Sequence, residues 1–241
     1  MFTGKLCVVT GGGSGIGKSL CEELAKAGAG GVYVVDITRE SAQKVAASLP
    51  SLATLQPNNY FRCDFGVADA GIMTMGGVDD VSNEQWEKIW NVNVMSHVFA
   101  ARHLFPLWRS HKNRQSSPGS TESKEEEGVF VITASAAGLL MQIGSLPYHV
   151  TKHAAVSVAD WLAVTTMTMD TAPGGGSAGL DGVLSPGDVA METIQAIERR
   201  QFLVLPHPKV KKYFERKASD YDRWLNGMRR VHKHFFSQSK L

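Results

Sequence analysis

Short apolar segments alternate with amphipathic segments along the first part of the chain. Residues 5–10 and 31–36 are apolar and rich in β-branched side chains, so each is predicted to be a buried parallel strand. Residues 18–28 and 40–49 carry their apolar positions at helical spacing. This alternation of strands and helices predicts an α/β protein with a parallel sheet.

The same patterns continue to the end of the chain. Further strands are predicted at 60–64, 129–133 and 202–205, and further helices at 83–107, 150–164, 185–198 and 209–236. Residues 164–169 could be a degraded strand. Residues 112–128 contain no apolar side chain and are predicted to be a mobile surface insertion. We therefore expect one nucleotide-binding domain over 1–206 and a basic amphipathic C-terminal helix within 207–241.

Composition narrows the class of protein. The chain has 241 residues, 43% of them apolar and 20% charged, as in soluble globular proteins. A net charge of +2 is too small to indicate a nucleic-acid partner. No apolar run approaches the roughly 18 residues of a membrane span, and no signal peptide is seen. The three cysteines and the histidines show no metal-ligand spacing, so we expect no metal, reduced thiols and a cytoplasmic location.

The C-terminal helix leaves two interpretations open. Its apolar stripe favours packing on the chain's own domain or on a second subunit. The cluster of Arg229, Arg230, Lys233 and His234 would instead suit a membrane surface.

A glycine-rich turn joins the first strand to the first helix. Strand, glycine turn and helix together are the context of a dinucleotide fingerprint, in which a pyrophosphate meets a helix N-terminus. The predicted cofactor-binding residues of this turn are Gly11, Ser14, Gly15, Ile16 and Gly17. Asp36 ends the second strand nineteen residues later, where a carboxylate can accept both ribose hydroxyls and would repel a 2′-phosphate. The sequence therefore favours NAD over NADP.

Tyr148 and Lys152 lie four residues apart, which places them on one face of a helix. An ammonium beside a phenol favours the phenolate and is expected to lower the pKa of the tyrosine, making it a usable acid or base. Ser135 precedes Tyr148 by thirteen residues and could meet the same substrate oxygen. Taken alone, this pattern is weak.

Together these residues resemble the classical short-chain dehydrogenase/reductase family. The resemblance covers most of the chain and rests on the Thr10-Gly-x-x-x-Gly-x-Gly17 turn and on Asp36, Asp64, Asn93, Ser135, Tyr148 and Lys152. It implies a Rossmann-like, doubly wound single domain. It also implies hydride transfer between NAD(H) and an alcohol or carbonyl substrate.

The resemblance implies a role for each matching residue. Tyr148 would be the acid or base, Lys152 would lower its pKa and hold the nicotinamide ribose, and Ser135 would bind the substrate oxygen. Asn93 would position a relay water and Asp64 would hold the adenine. Ala70 and Gly71 keep the family's glycine step beside the cofactor. The apolar segment 139–147 suggests an apolar alcohol or ketone, and the family implies a homodimer or homotetramer.

Two departures from the family support an alternative. Only four residues separate Asp64 from Asp69, so the usual helix and most of the fourth strand, which pairs with the first, are expected to be missing. Asp69 itself replaces an asparagine of the family. Parts of the sixth strand are also expected to be missing after the catalytic helix. The alternative is therefore a truncated, catalytically impaired member that acts at most in nucleotide binding or interaction. A methyltransferase-like domain is a more distant candidate.

Overall fold

Five parallel strands form one sheet in the computed structural model, which describes residues 1–50, 63–115, 128–165, 169–172 and 184–236. The strand order across the sheet is β2-β1-β3-β4-β5. The strands are β1 (Leu6–Thr10), β2 (Gly31–Val35), β3 (Phe65–Ala68), β4 (Val129–Thr133) and β5 (Met169–Ala172).

Eight α-helices connect and flank these strands in the described part of the chain. They are α1 (Gly15–Lys26), α2 (Arg39–Ser48), α3 (Asn83–Trp90), α4 (Ser96–Gln115), α5 (Leu146–Thr165), α6 (Pro186–Glu198), α7 (Pro208–Ser219) and α8 (Tyr221–Phe236). A π-helical turn, Asn91–Met95, joins α3 to α4. None of the described helices has the length and apolar character needed to cross a membrane.

The helices cover both faces of the sheet. Val131 of β4 packs in one core with Leu20 and Leu24 of α1 and with Ile197 of α6. Its neighbour Ile132 points the other way, into a second core with α4 and α5. Because strand side chains alternate between faces, the nearly continuous apolar strands supply both cores. The predicted doubly wound α/β fold is therefore confirmed.

The strand that was expected to be largely missing is present at the centre of the sheet. β3 pairs in parallel with β1 on one side, through Val9 and Val67, and with β4 on the other, through Val67 and Val131. All four of its residues are buried. The prediction was wrong because it counted residues 60–64 as the preceding strand. Residues 60–62 lie outside the described part, and Asp64 precedes β3 instead of ending another strand.

Two other predicted strands differ from the structure. The strand after α5 lies at Met169–Ala172 and pairs with β4, whereas the sequence predicted a degraded strand at 164–169. Residues 202–205 form no strand with the described part of the chain, although Leu203 makes a single β-bridge and Val204 is buried.

Capping groups mark several of the helix ends. Ser82 caps α3 and Ser185 caps α6, each in a reciprocal capping box. α4 continues to Gln115, so the first residues of the predicted mobile insertion are helical, and residues 116–127 lie outside the described part. The predicted single C-terminal helix is two helices, because Asp220 leaves helical geometry and accepts the N–H of Arg223 at 2.9 Å.

Candidate active site at the carboxyl edge of the sheet

The glycine turn follows β1 at the carboxyl edge of the sheet, where open α/β sheets bind ligands. Gly11 has a φ of +71°, and a Cβ there would lie 3.0 Å from the backbone nitrogen of Ala70. A Cβ on Gly17 would overlap the carbonyl oxygen of Gly11. Both positions therefore require glycine, because the turn, the first helix and the segment after β3 meet there.

The start of α1 fits a pyrophosphate. The helix begins at Gly15, its first turn has no acidic residue, and the Ser14 side chain makes no capping hydrogen bond. Gly15 has a φ of +54°, and no atom lies within 4 Å of the position of a Cβ there. Free backbone N–H groups and the positive end of the helix dipole favour an anion at this point.

Asp36 faces the same turn from the end of β2. Its Oδ2 accepts the backbone N–H of Gly13 at 3.0 Å, and its Oδ1 accepts that of Thr38 at 3.0 Å. These bonds fix the carboxylate and leave lone pairs on both oxygens that could accept ribose hydroxyls.

Asp64 lies at the opposite edge of the sheet. Its Oδ2 accepts the N–H of Leu6, the first residue of β1, at 2.9 Å, whereas the glycine turn follows the last residue. The four intervening steps along a strand span roughly 13 Å. The predicted contact of Asp64 with the adenine is therefore corrected, because this residue precedes its strand instead of following it.

Ala70 and Gly71 connect the glycine turn to Lys152. The N–H of Ala70 donates to the Thr10 hydroxyl at 3.3 Å. A Cβ on Gly71 would lie 3.3 Å from Nζ of Lys152 and 3.6 Å from Oδ1 of Asn93. The segment after β3 thus brings the two halves of the predicted site together.

Lys152 lies one turn after Tyr148 on α5. The lysine is only 3% exposed, its Nζ donates to the Thr133 carbonyl at 2.9 Å, and it lies 5.6 Å from the centre of the Tyr148 ring. Burial lowers the pKa of Lys152 to about 8, against the opposing attraction of Asp69. The lysine is therefore mostly charged at neutral pH but is held in a region that disfavours its charge.

Ser135 meets Tyr148 from the end of β4. Its Oγ accepts the N–H of Ala137 at 3.1 Å, and a hydrogen bond from its hydroxyl to the phenol favours the phenolate. Burial nevertheless raises the pKa of Tyr148 above its usual value, and the nearby charge of Asp69 adds to this effect. The expected net lowering of this pKa is therefore not found in the chain on its own, because desolvation of the phenol outweighs the stabilisation of the phenolate.

Asn93 lies in the π-helical turn and is fully buried. Its Oδ1 accepts the N–H of Ile72 at 2.8 Å, and its Nδ2 donates to the Ile72 carbonyl at 2.9 Å and to the Thr151 hydroxyl at 3.1 Å. These bonds hold the segment after Gly71 against α5. Such turns are frequent at functional sites, and this one places Asn93 beside the lysine.

Two buried groups near Lys152 were not predicted as site residues. Burial raises the pKa of the Asp69 carboxyl, while nearby polar groups of Thr133 and Gly17 and the charge of Lys152 oppose the rise. His97 is fully buried one turn after Asn93, and burial and then Lys152 lower its pKa to about 3. The replaced asparagine marked Asp69 in the sequence, whereas no pattern marked His97.

A carboxyl-edge site built from a glycine turn, a buried lysine and a Ser–Tyr pair on a doubly wound sheet defines a dinucleotide-dependent class of α/β protein. The sequence profile of the short chain dehydrogenase family matches residues 5–66 and 57–170, more than half of the chain. The chain belongs to the short-chain dehydrogenase family.

Curated relatives are similar over part of their length. The chain is 29% identical over 171 residues to the cyclopentanol dehydrogenase of Comamonas sp. (strain NCIMB 9872), covering 62% of each chain. It is 28% identical over 189 residues to the fluoren-9-ol dehydrogenase of Terrabacter sp. (strain DBF63), covering 66% of this chain and 51% of that one. The chain therefore spans roughly half to two thirds of the length of such relatives.

Solved structures share the fold. A short chain dehydrogenase/reductase from Burkholderia phymatum in complex with NAD has a TM-score of 0.71 at 21% identity, with 92% of this chain and 95% of that chain covered. The landomycin C-6 ketoreductase LanV, solved with bound NADP and rabelomycin, has a TM-score of 0.67 at 18% identity, with 84% and 94% covered.

Proposed function

We propose that this chain binds NAD(H) and transfers a hydride between it and the carbinol or carbonyl carbon of a small apolar substrate. The observation that carries the proposal is the meeting of Ser135, Tyr148 and Lys152 at the carboxyl edge of the sheet. Ser135 would hold the substrate oxygen, and Tyr148 would give or take its proton. When bound, the nicotinamide supplies or accepts the hydride.

Lys152 would serve two purposes in this site. Its ammonium, fixed by the Thr133 carbonyl, would stabilise the phenolate of Tyr148 as the proton leaves, and it would hold the nicotinamide ribose. Asn93 and Thr151 would keep α5 against the segment that follows Gly71. A relay water at Asn93 is consistent with this arrangement and belongs to the proposal.

Asp36 supports NAD as the cofactor. A carboxylate already fixed by Gly13 and Thr38 would accept ribose hydroxyls and would repel a 2′-phosphate. Solved neighbours carry NAD, NADH or NADP, so the preference has to be measured on this chain. The curated relatives named above act on cyclic secondary alcohols by their names, which makes cyclopentanol and fluoren-9-ol suitable first substrates.

Thermal unfolding tests the cofactor half of the proposal. NAD at a hundred times its dissociation constant should stabilise the chain by about 2.7 kcal/mol. Each kcal/mol corresponds to about 2–4 °C in Tm for a domain of this size. NADP at the same concentration should give a smaller shift. If no dinucleotide moves the Tm, the impaired-member alternative replaces the proposal.

Replacing Tyr148 tests the catalytic half. Tyr148→Phe removes the proton that is transferred, so kcat with cyclopentanol or fluoren-9-ol should fall by at least about a hundredfold. The NAD-induced shift in Tm should remain. Tyr33→Phe, on β2, is the matched control and should keep its turnover. Retained turnover in Tyr148→Phe would show that another group moves the proton.

A further inference from the structure

A cavity of about 740 Å³ lies between the segment after Ser135 and the C-terminal helices α7 and α8. Its lining includes Ala136 and Ala137, but neither Ser135 nor Tyr148 is among the described lining residues. The cavity therefore adjoins the candidate active site without containing its reacting hydroxyls. Its volume is within the range of small-molecule sites.

One wall of the cavity is apolar and well packed. Ala136, Leu140 and Val210 form a buried cluster against which Tyr213 and Trp224 pack. The Tyr213 and Trp224 rings lie 6.4 Å apart, which joins α7 to α8. This wall is continuous with the protein interior, so it offers a preformed apolar surface of the kind that binds a ligand body.

Cations line another side of the cavity. Arg216 comes from α7, and Arg223 and Arg230 lie seven residues apart on one face of α8. All three are exposed, and none forms an ion pair with a described residue. Asp220 is the one acid among the described lining residues, and its Oδ1 already accepts the N–H of Arg223. The rim is therefore strongly positive.

A buried donor in this wall lacks an acceptor. The Nε1–H of Trp224 is enclosed and has no hydrogen-bond partner among the described residues. Because this nitrogen has almost no accessible surface, Trp224 presents the apolar part of its ring to the cavity, and the charged group of a ligand is left to the rim arginines.

We propose that this cavity binds an organic carboxylate with an apolar body, such as a medium-chain fatty acid. The body lies against Leu140, Val210 and Trp224, and the carboxylate faces Arg223 and Arg230. A membrane surface suits this face less well, because Trp224, Met228 and Val231 of α8 line a concave cavity. The proposal holds whether or not the neighbouring site transfers hydride.

Calorimetric titration of the full chain with decanoate tests the proposal. Decanoate should bind with one-to-one stoichiometry, and its affinity should fall as salt is raised, because the rim arginines are exposed. Decyltrimethylammonium has the same apolar chain with a cationic head and should bind at least about fivefold more weakly. Equal binding of the two would overturn the proposal, and so would no binding of decanoate below its micelle concentration.

Matched arginine variants locate the carboxylate. Arg223→Gln and Arg230→Gln should each weaken decanoate binding by about fivefold, the upper range for an exposed ion pair. Arg229→Gln is the control, because Arg229 lies on the same helix but hydrogen-bonds Asn226 at 2.8 Å and does not line the cavity. An equal loss of decanoate affinity in Arg229→Gln would show that general surface charge causes the loss, and would overturn the assignment of Arg223 and Arg230.

Vesicles distinguish the alternative surface. Flotation of the chain with phosphatidylglycerol vesicles, combined with no binding of monomeric decanoate, would assign this face to membranes and end the proposal. Decanoate binding without flotation would support it.

Discussion

Asp36 and Asp69 approach the glycine turn from strands on opposite sides of β1. The carboxylate of Asp36 accepts the backbone N–H of Gly13, beside the proposed position of a ribose. Asp69 lies against Gly17 in the first turn of α1, where a Cβ would be 2.8 Å from its Oδ2. The first carboxylate would accept hydroxyl groups, whereas the second occupies a position that a helix N-terminus offers to a phosphate.

The difference shows that one chemical group can support or oppose the same ligand. At β2 the carboxylate is only partly buried, and its partners are backbone N–H groups that leave lone pairs available. After β3, burial raises the pKa of Asp69, so its negative charge is held against unfavourable solvation. Whether a carboxylate favours or opposes the ligand therefore depends on its position relative to the helix dipole and to solvent, and not on residue type.

The largest expected effect comes from the glycine between Asp69 and Gly11. Gly17→Ala would place a methyl group on the Gly11 carbonyl, which is backbone and cannot rotate away. We expect a loss of about 3 kcal/mol in the free energy of unfolding. Gly13→Ala is the matched variant on the other side, because its Cβ would meet the Asp36 carboxylate at 2.8 Å and the Cβ of Ser41 at 2.9 Å, which are side-chain atoms and not a backbone carbonyl.

We expect Gly13→Ala to lose only about 1 kcal/mol. Denaturant unfolding of both variants measures the difference. Equal stability of the two would mean that α1 and the glycine turn are less closely packed than described, and the comparison of the two sides would fail.

Much of this region could be predicted from the sequence, because its information is local. The glycines, the apolar strands and the Tyr148–Lys152 spacing lie within short segments whose geometry fixes their meaning. Asp36 ends its strand as predicted. The pairing partners of a strand, in contrast, are decided by contacts far along the chain. For that reason the central strand, β3, was expected to be largely missing, and Asp64 was placed at the wrong edge.

The C-terminal helices show a second reason why prediction failed. The apolar stripe through residues 209–236 suggested one helix, but Asp220 caps a second helix. Asp220 was a visible capping residue in the sequence, but the continuous apolar periodicity was given more weight in the prediction. The sequence could not predict which part of the protein the stripe packs against. That depends on where Leu140, which is distant from α8 along the chain, and Val210 lie in the fold.

Asp36→Ala should have the next largest effect. It removes the proposed acceptor of the ribose hydroxyls, and losing hydrogen bonds to a charged group costs about 1.5–3 kcal/mol. The dissociation constant for NAD should therefore rise by roughly a hundredfold, and the preference over NADP should narrow. Calorimetric titration measures both. Asp160→Ala, an exposed acid on α5, is the control, and an equal loss there would point to net charge instead of ribose contacts.

Asp69→Asn should have a smaller effect in the opposite direction. It restores the family's residue, keeps a similar shape and removes a negative charge from the start of α1. Charges near a helix terminus contribute about 0.3–1 kcal/mol, so NAD should bind about two- to fivefold more tightly. The same titration measures this gain. The two substitutions should change NAD affinity in opposite directions, which distinguishes the two carboxylates.

The pH dependence of NAD binding gives the sharper form of this test. Because the pKa of Asp69 is raised, its charge develops above the ordinary carboxyl range near 3.9, and NAD affinity in the parent should weaken as pH rises through that window. Below the window the parent should approach the affinity of Asp69→Asn, whose binding should not change with pH there. If Asp69→Asn instead lowers kcat and leaves NAD affinity unchanged, the carboxylate acts through Lys152. In that case Asp69 would act on Lys152 and not on the cofactor, and its comparison with Asp36 would fail.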